Sequence, residues 1–162
     1  MGDLALLKDV AAVALLRGDG SVLLQHRDLK PGLNHSGLWV LPGGHRENSE
    51  TIEECAKREF FEETAYRCTK LHWLLRRPVQ TDIGDYYQLT VFWLHYDGIQ
   101  QLQCLEGQDL RFIDRAMVET LPAPDFLVDL WDRAIAAAKL HHERGTWEKL
   151  IYLIHIHVRN VR

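Results

Sequence analysis

Hydrophobic and polar residues change period several times along the 162 residues of this chain, and each change predicts an element. The run Asp9 to Leu16, DVAAVALL, is almost wholly apolar, and Gly18, Asp19 and Gly20 separate it from Ser21 to Arg27, SVLLQHR. Two such runs around a short turn predict a β-hairpin. Lys30 to Gly37, with one proline and two glycines, predicts a surface loop, followed by a short buried strand over Leu38 to Leu41. From Thr51 the period becomes helical. Ile52, Cys55, Ala56 and Phe60 fall on one stripe at about 100° per residue, so a helix ending near Thr64 or Ala65 turns that stripe to the core. Thr51 and Glu54 have capping-box spacing, which starts the helix there and leaves Glu50 in the loop before it. LHWLLRRPVQ reads as a strand that Pro78 confines to an edge or ends, and Tyr86 to Tyr96 is the clearest strand, closed by Asp97-Gly98. Another short strand spans Leu110 to Ile113. Pro122 and Pro124 then break the chain before a helix from Asp125 to about Glu143, with Phe126, Leu127, Leu130, Trp131, Ile135 and Ala138 at helical spacing. Strands and helices in this order predict an α/β fold, with helices on both faces of a mixed β-sheet. The final run Ile154-His155-Ile156-His157-Val158 alternates like a strand. It predicts a domain over 1–145 and a C-terminal extension over 146–162 that supplies an edge strand or a strand to a homodimer.

Acids break the apolar stripe of the first helix. Glu59 and Glu63 lie within it, Glu62 on its edge, and Glu53 and Glu54 on the outer face. A buried carboxylate without a partner costs several kcal/mol or more, so such groups are paired, protonated or bound to a cation. Arg58 is placed to pair with Glu62 one turn on, but one arginine cannot neutralise three acids. The remaining charge points to a metal ion, and oxygen-only ligands select magnesium (Mg2+) or manganese (Mn2+) over zinc. The competing reading is a solvated acidic face on an ordinary amphipathic helix. The stripe position of Glu59 and Glu63 argues against it.

The stretch Gly44, Glu50, Arg58, Glu59, Phe60, Glu62, Glu63 and Tyr66 resembles the signature of the Nudix hydrolases, in spacing and at every charged position. Ala65 is the one departure, since it stands where that family has its last glycine. Leu38-Trp39 leading to Pro42-Gly43-Gly44 is also similar to the family, and the resemblance runs from about Val10 to Leu140. It implies the Nudix α/β/α sandwich and hydrolysis of a phosphoanhydride bond in a nucleoside diphosphate or triphosphate derivative. Glu59, Glu62 and Glu63 become metal ligands, joined by the Gly43 carbonyl and by Glu106 in Cys104 to Gln108. Arg58 and Glu50 become orienting groups of the catalytic set, Arg27 a contact to substrate phosphates, and Gly44 a backbone approach to substrate. Either Glu59 or Glu106 serves as general base. A catalytically silent nucleotide sensor of the same fold and an interaction domain with an acidic surface helix stand as alternatives.

Composition narrows the partners. A formal charge of -4 with pI near 6.1 does not favour polymeric nucleic acid, although an enzyme for free nucleotides needs only local basic groups. The cysteines Cys55, Cys68 and Cys104 have no zinc spacing, which favours a reducing, cytoplasmic setting. No run of membrane-spanning length or secretory leader is evident, so neither membrane nor export is expected.

Overall fold

The computed structural model describes residues 7–81 and 83–159. A mixed sheet of seven strands forms the middle layer: β1 (Lys8–Leu16), β2 (Val22–His26), β3 (Trp39–Val40), β4 (Gly43–His45), β5 (His72–Gln80), β6 (Tyr86–His95) and β7 (Asp109–Ile113). The main path runs β3-β2-β1-β6-β5, while β4 pairs with β1 and β7 with β2. β1 and β6 pair in parallel over their whole length, from Lys8 against Tyr87 to Leu16 against His95. Helix α1 (Ile52–Thr64) covers one face and helix α2 (Leu127–Arg159) the other. This is the α/β/α sandwich expected from the order of elements.

β1 shows why the sequence chose this arrangement. Ala11, Val13 and Leu15 pack with Cys55, Ala56 and Phe60 of α1, whereas Ala12, Ala14 and Leu16 pack with Leu127, Leu130 and Trp131 of α2. Successive side chains point to opposite faces and both faces are covered, so the run is apolar without alternation. Each fully buried Leu or Phe here stabilises the fold by about 1.5–3 kcal/mol. Trp131 is wholly buried, and its indole N–H donates to the Gly20 carbonyl at 2.9 Å, fastening α2 to the hairpin turn. Phe92 and Trp93 are buried on opposite faces, so these two aromatics of β6 serve the core. Pro78 lies inside β5, where it is tolerated because β5 is an edge strand.

The C-terminal expectation is corrected. Residues 146–159 continue α2 as helix, and no edge strand forms over Ile154 to Val158. Alternating Ile and Val suggested a strand, but no turn residue separates them from the preceding helix. Gly145 alone costs a helix only about 1 kcal/mol. Residues 160–162 lie outside the described residues.

The exit of α1 retains the turn that Ala65 placed in question. Ala65 is left-handed, with φ 58°, and its N–H donates to the Phe61 carbonyl at 2.8 Å. Alanine pays a steric cost there that glycine does not. Ala65→Gly is therefore expected to stabilise the protein by about 0.5–1 kcal/mol, read as a higher urea midpoint with an unchanged slope.

Candidate active site

β1 is shared along one edge. Its first half pairs with β4, and only Leu16, at its end, pairs with β2. Where these partners diverge lies a cavity of about 230 Å³, lined by Val10 and Ala12 of β1, Gly43 and Gly44 of β4, Val40 of β3 and Arg27 just beyond β2. Glu59 and Glu63 reach it from α1, and Glu106 from the loop before β7.

Local rules place the acids. Thr51 Oγ1 accepts from the Glu54 N–H at 3.2 Å, and the Glu54 carboxylate accepts from the Thr51 N–H at 2.7 Å. This capping box starts α1 at Ile52 and leaves Glu50 outside it, as expected. From that start the helical period carries Glu63 inward, where it is only 3% exposed, while the Glu62 side chain stays 57% exposed.

Arg58 organises three of the carboxylates. It grips Glu50 with two bonds of 2.6 and 2.9 Å, and its Nη1 donates to Glu59 at 2.7 Å and to Glu62 at 3.1 Å. A further bond of 3.1 Å reaches the His45 carbonyl. The fork geometry of a guanidinium permits this sharing, which a lysine would not match. The Arg58 guanidinium, helped by the Glu47 N–H, holds the Glu50 carboxyl down at about 2. Arg58 is in turn pushed further above its ordinary value, so it stays charged.

Glu63 makes no salt bridge among the described residues. Its Oε2 accepts from the Gly43 N–H at 2.8 Å. Burial first, then the charges of Glu106 and Glu59, push its carboxyl up to about 8, against the pull of Gly43 and Arg27. Glu59 lies directly against Gly44, so that a β-carbon there would run into the Glu59 carboxylate. Cys55, beneath this group, is pushed up to about 12 by burial and is no nucleophile.

Among the described residues no three acidic, histidine or cysteine side chains already converge to hold one ion. Glu59 and Glu62 are drawn to Arg58, and Glu63 to Gly43. The donor chemistry nevertheless fits a hard divalent cation: the candidate ligands Glu59, Glu62, Glu63, Glu106 and the Gly43 carbonyl offer only oxygens, and the buried Glu63 carboxylate has no salt bridge among the described residues.

Glu106 sits on a fastened loop. Gln25 donates to its carbonyl at 3.2 Å, and the next-but-one residue, Gln108, bonds the carbonyls of His26 and Arg27 at 2.7 Å each. The Glu106 carboxylate itself accepts no hydrogen bond among the described residues. Arg27 Nε donates to the Asn34 carbonyl at 3.0 Å, which leaves its outer guanidinium nitrogens without a hydrogen bond among the described residues. His45, Tyr87, Pro124, Phe126 and Leu130 also line the cavity. His45 escaped the sequence reading because only the pairing of β4 with β1 turns it there.

The NUDIX domain profile matches residues 6–129. The chain belongs to the Nudix family. A Mycobacterium tuberculosis protein named "Putative 8-oxo-dGTP diphosphatase 3" is 44% identical over 134 residues, covering 76% of this chain and 60% of that relative. The chain thus spans about 60% of that protein's length. Among solved structures, the MutT protein of Methanosarcina mazei superposes with a TM-score of 0.69 at 18% identity, covering 82% of this chain and 96% of its own. The NUDIX domain of Shewanella oneidensis NrtR, in complex with ADP ribose, gives 0.68 at 20% identity, covering 82% and 88%. Such identities speak for the fold. No helix among the described residues of this Nudix chain is long and apolar enough to cross a membrane.

Proposed function

We propose that this Nudix protein is a metal-dependent pyrophosphohydrolase that cleaves the phosphoanhydride of a nucleoside diphosphate or triphosphate derivative. The observation that carries the reading is Glu63, a buried carboxylate without a salt bridge among the described residues, lining a cavity together with Glu59 and Glu106. Glu59, Glu62, Glu63, Glu106 and the Gly43 carbonyl would hold magnesium or manganese. Bound there, the metal supplies charge neutralisation of the pyrophosphate and a more acidic water.

The chain's own residues perform the rest. Arg27 offers its outer guanidinium nitrogens to a phosphate oxygen, and Gly44 lets the substrate pass close to the backbone. Arg58 holds Glu50, Glu59 and Glu62 in place. Water oxygen attacks one phosphorus, the bond from that phosphorus to the bridging oxygen breaks, and the second phosphate leaves with that oxygen. The water proton passes to a carboxylate. Glu59 already accepts from Arg58, whereas the Glu106 carboxylate accepts no hydrogen bond among the described residues, so a Glu106 oxygen not on the metal is the better placed general base. The named function of the mycobacterial relative puts nucleoside triphosphates first among substrates to try.

The test is a panel of nucleoside triphosphates and nucleoside diphosphate derivatives with magnesium, run on the wild type and on Glu62→Gln. Turnover that falls by about 10² in the variant is the expected result. Tight binding of a nucleotide with no turnover would instead favour a silent sensor. Equal turnover in both proteins would remove Glu62 from the site.

A further inference from the structure

The cavity beside the acids contains a group that the hydrolytic chemistry does not use. Asn34 Oδ1 is buried and has no hydrogen-bond partner among the described residues. Buried acceptors in native structures are nearly always paired, so a lone one in the wall of a cavity marks a place for a ligand donor. Asn34 lines the cavity together with His35, Tyr87 and Phe126. The His35 ring meets Tyr87 and Phe126 edge-on, at centroid separations of 6.2 and 5.6 Å. His35 is itself buried and left-handed, with φ 56°, so the loop is held in a conformation that a non-glycine residue rarely adopts.

We propose that Asn34 is a specificity-determining residue, whose Oδ1 accepts a hydrogen bond from an N–H of a nucleobase lying among these aromatic rings. The inference rests on the hydrolase reading and adds what the pyrophosphate must carry. At about 230 Å³ the cavity is smaller than the roughly 300–1,000 Å³ sites that enclose whole drug-sized ligands. It therefore encloses only part of such a substrate, with a ring beside Asn34, His35, Tyr87 and Phe126 and the phosphates toward Glu59, Glu63 and Glu106, which line it too. An isoprenoid chain would leave the Asn34 oxygen unpaired, and a group without a flat face would leave the three rings without a stacking partner. A heteroaromatic base with an edge N–H satisfies both. The same residue couples the two ends of the substrate, because its backbone carbonyl fixes Arg27.

The experiment compares kcat/KM for ATP or GTP, whichever is faster, with that for purine ribonucleoside triphosphate, which keeps the ring but has no N–H on the base. Wild type is expected to favour the natural nucleotide by about tenfold or more. In Asn34→Leu that ratio falls to near one while turnover of the purine nucleotide is kept. Asn34→Asp retains an acceptor and retains the ratio. A purely structural role would lower both substrates together in Asn34→Leu, and that result overturns the assignment. Loss of the ratio in Asn34→Asp as well overturns it, because the amide would then be the donor. If wild type hydrolyses neither nucleotide, the hydrolase reading fails separately, and the ratio is read from Kd values with magnesium present. Equal affinity of wild type for the two nucleotides, or binding of neither, then overturns the proposal.

Discussion

Glu63→Gln is expected to lower kcat by about 10²–10³ and, in the metal-free protein at pH 8, to raise stability. The two effects share one cause. Glu63 is a carboxylate kept at 3% exposure with one backbone N–H as its donor and two further acids nearby. In the folded protein it releases its proton only at about 8, against an ordinary value of 4.5. Between those values the folded state keeps a proton that the unfolded chain has released. Stability therefore falls as pH rises through that window, and the loss is complete above the folded pKa. A shift of this size corresponds to at most on the order of 5 kcal/mol. Glutamine copies the protonated form, so the variant should match wild type near pH 4.5 and exceed it increasingly up to pH 8. Urea unfolding in a chelator at pH 5 and pH 8 measures the gap. Excess magnesium should narrow it at pH 8 by stabilising wild type alone. A gap that does not change with pH would mean that Glu63 is not held protonated by its burial.

This pairing of stability lost and chemistry gained was partly legible in the sequence. The helical wheel placed Glu59 and Glu63 in the buried stripe and Glu62 on its edge, and the structure has Glu63 buried, Glu59 half-buried and Glu62 exposed. That success depended only on helical period and on a cap, Thr51 with Glu54, both set by residues within a few positions. Asn34 and His35 were legible only as members of a loop. Their positions are fixed by partners far along the chain, such as Tyr87, whose hydroxyl lies 3.1 Å from His35 Nε2 across 52 residues. β4 was missed for a related reason. Glycines have little strand propensity, and Gly43–His45 is a strand only because β1 is there to pair with it. At the other end, Ile and Val alternation past Gly145 suggested a strand where continuity with α2 prevailed. Local signals failed wherever distant partners, or the lack of a break, decided the outcome.

The adjacent glycines of β4 should give opposite results when each is replaced by alanine. A β-carbon on Gly43 would run into the Ala11 carbonyl oxygen and stand 2.6 Å from Ala12 Cα. Both are backbone atoms of the central strand and cannot turn aside, so β4 must separate from β1. Gly43→Ala is expected to cost about 3 kcal/mol or more, with protein recovered largely unfolded or aggregated. At Gly44 the nearest atoms the added carbon would run into all belong to the Glu59 carboxylate, and a side chain can rotate. Gly44→Ala should fold with a thermal midpoint close to that of wild type. Its cost falls on chemistry, because Glu59 is displaced both from its bond to Arg58 and from the mouth of the cavity. A misplacement of this kind is worth about 10² in kcat. Thermal unfolding and turnover measured side by side distinguish the two positions. A Gly44→Ala protein with full activity would show that Glu59 need not stand where α1 places it, and would move the reaction's weight to Glu62, Glu63 and Glu106.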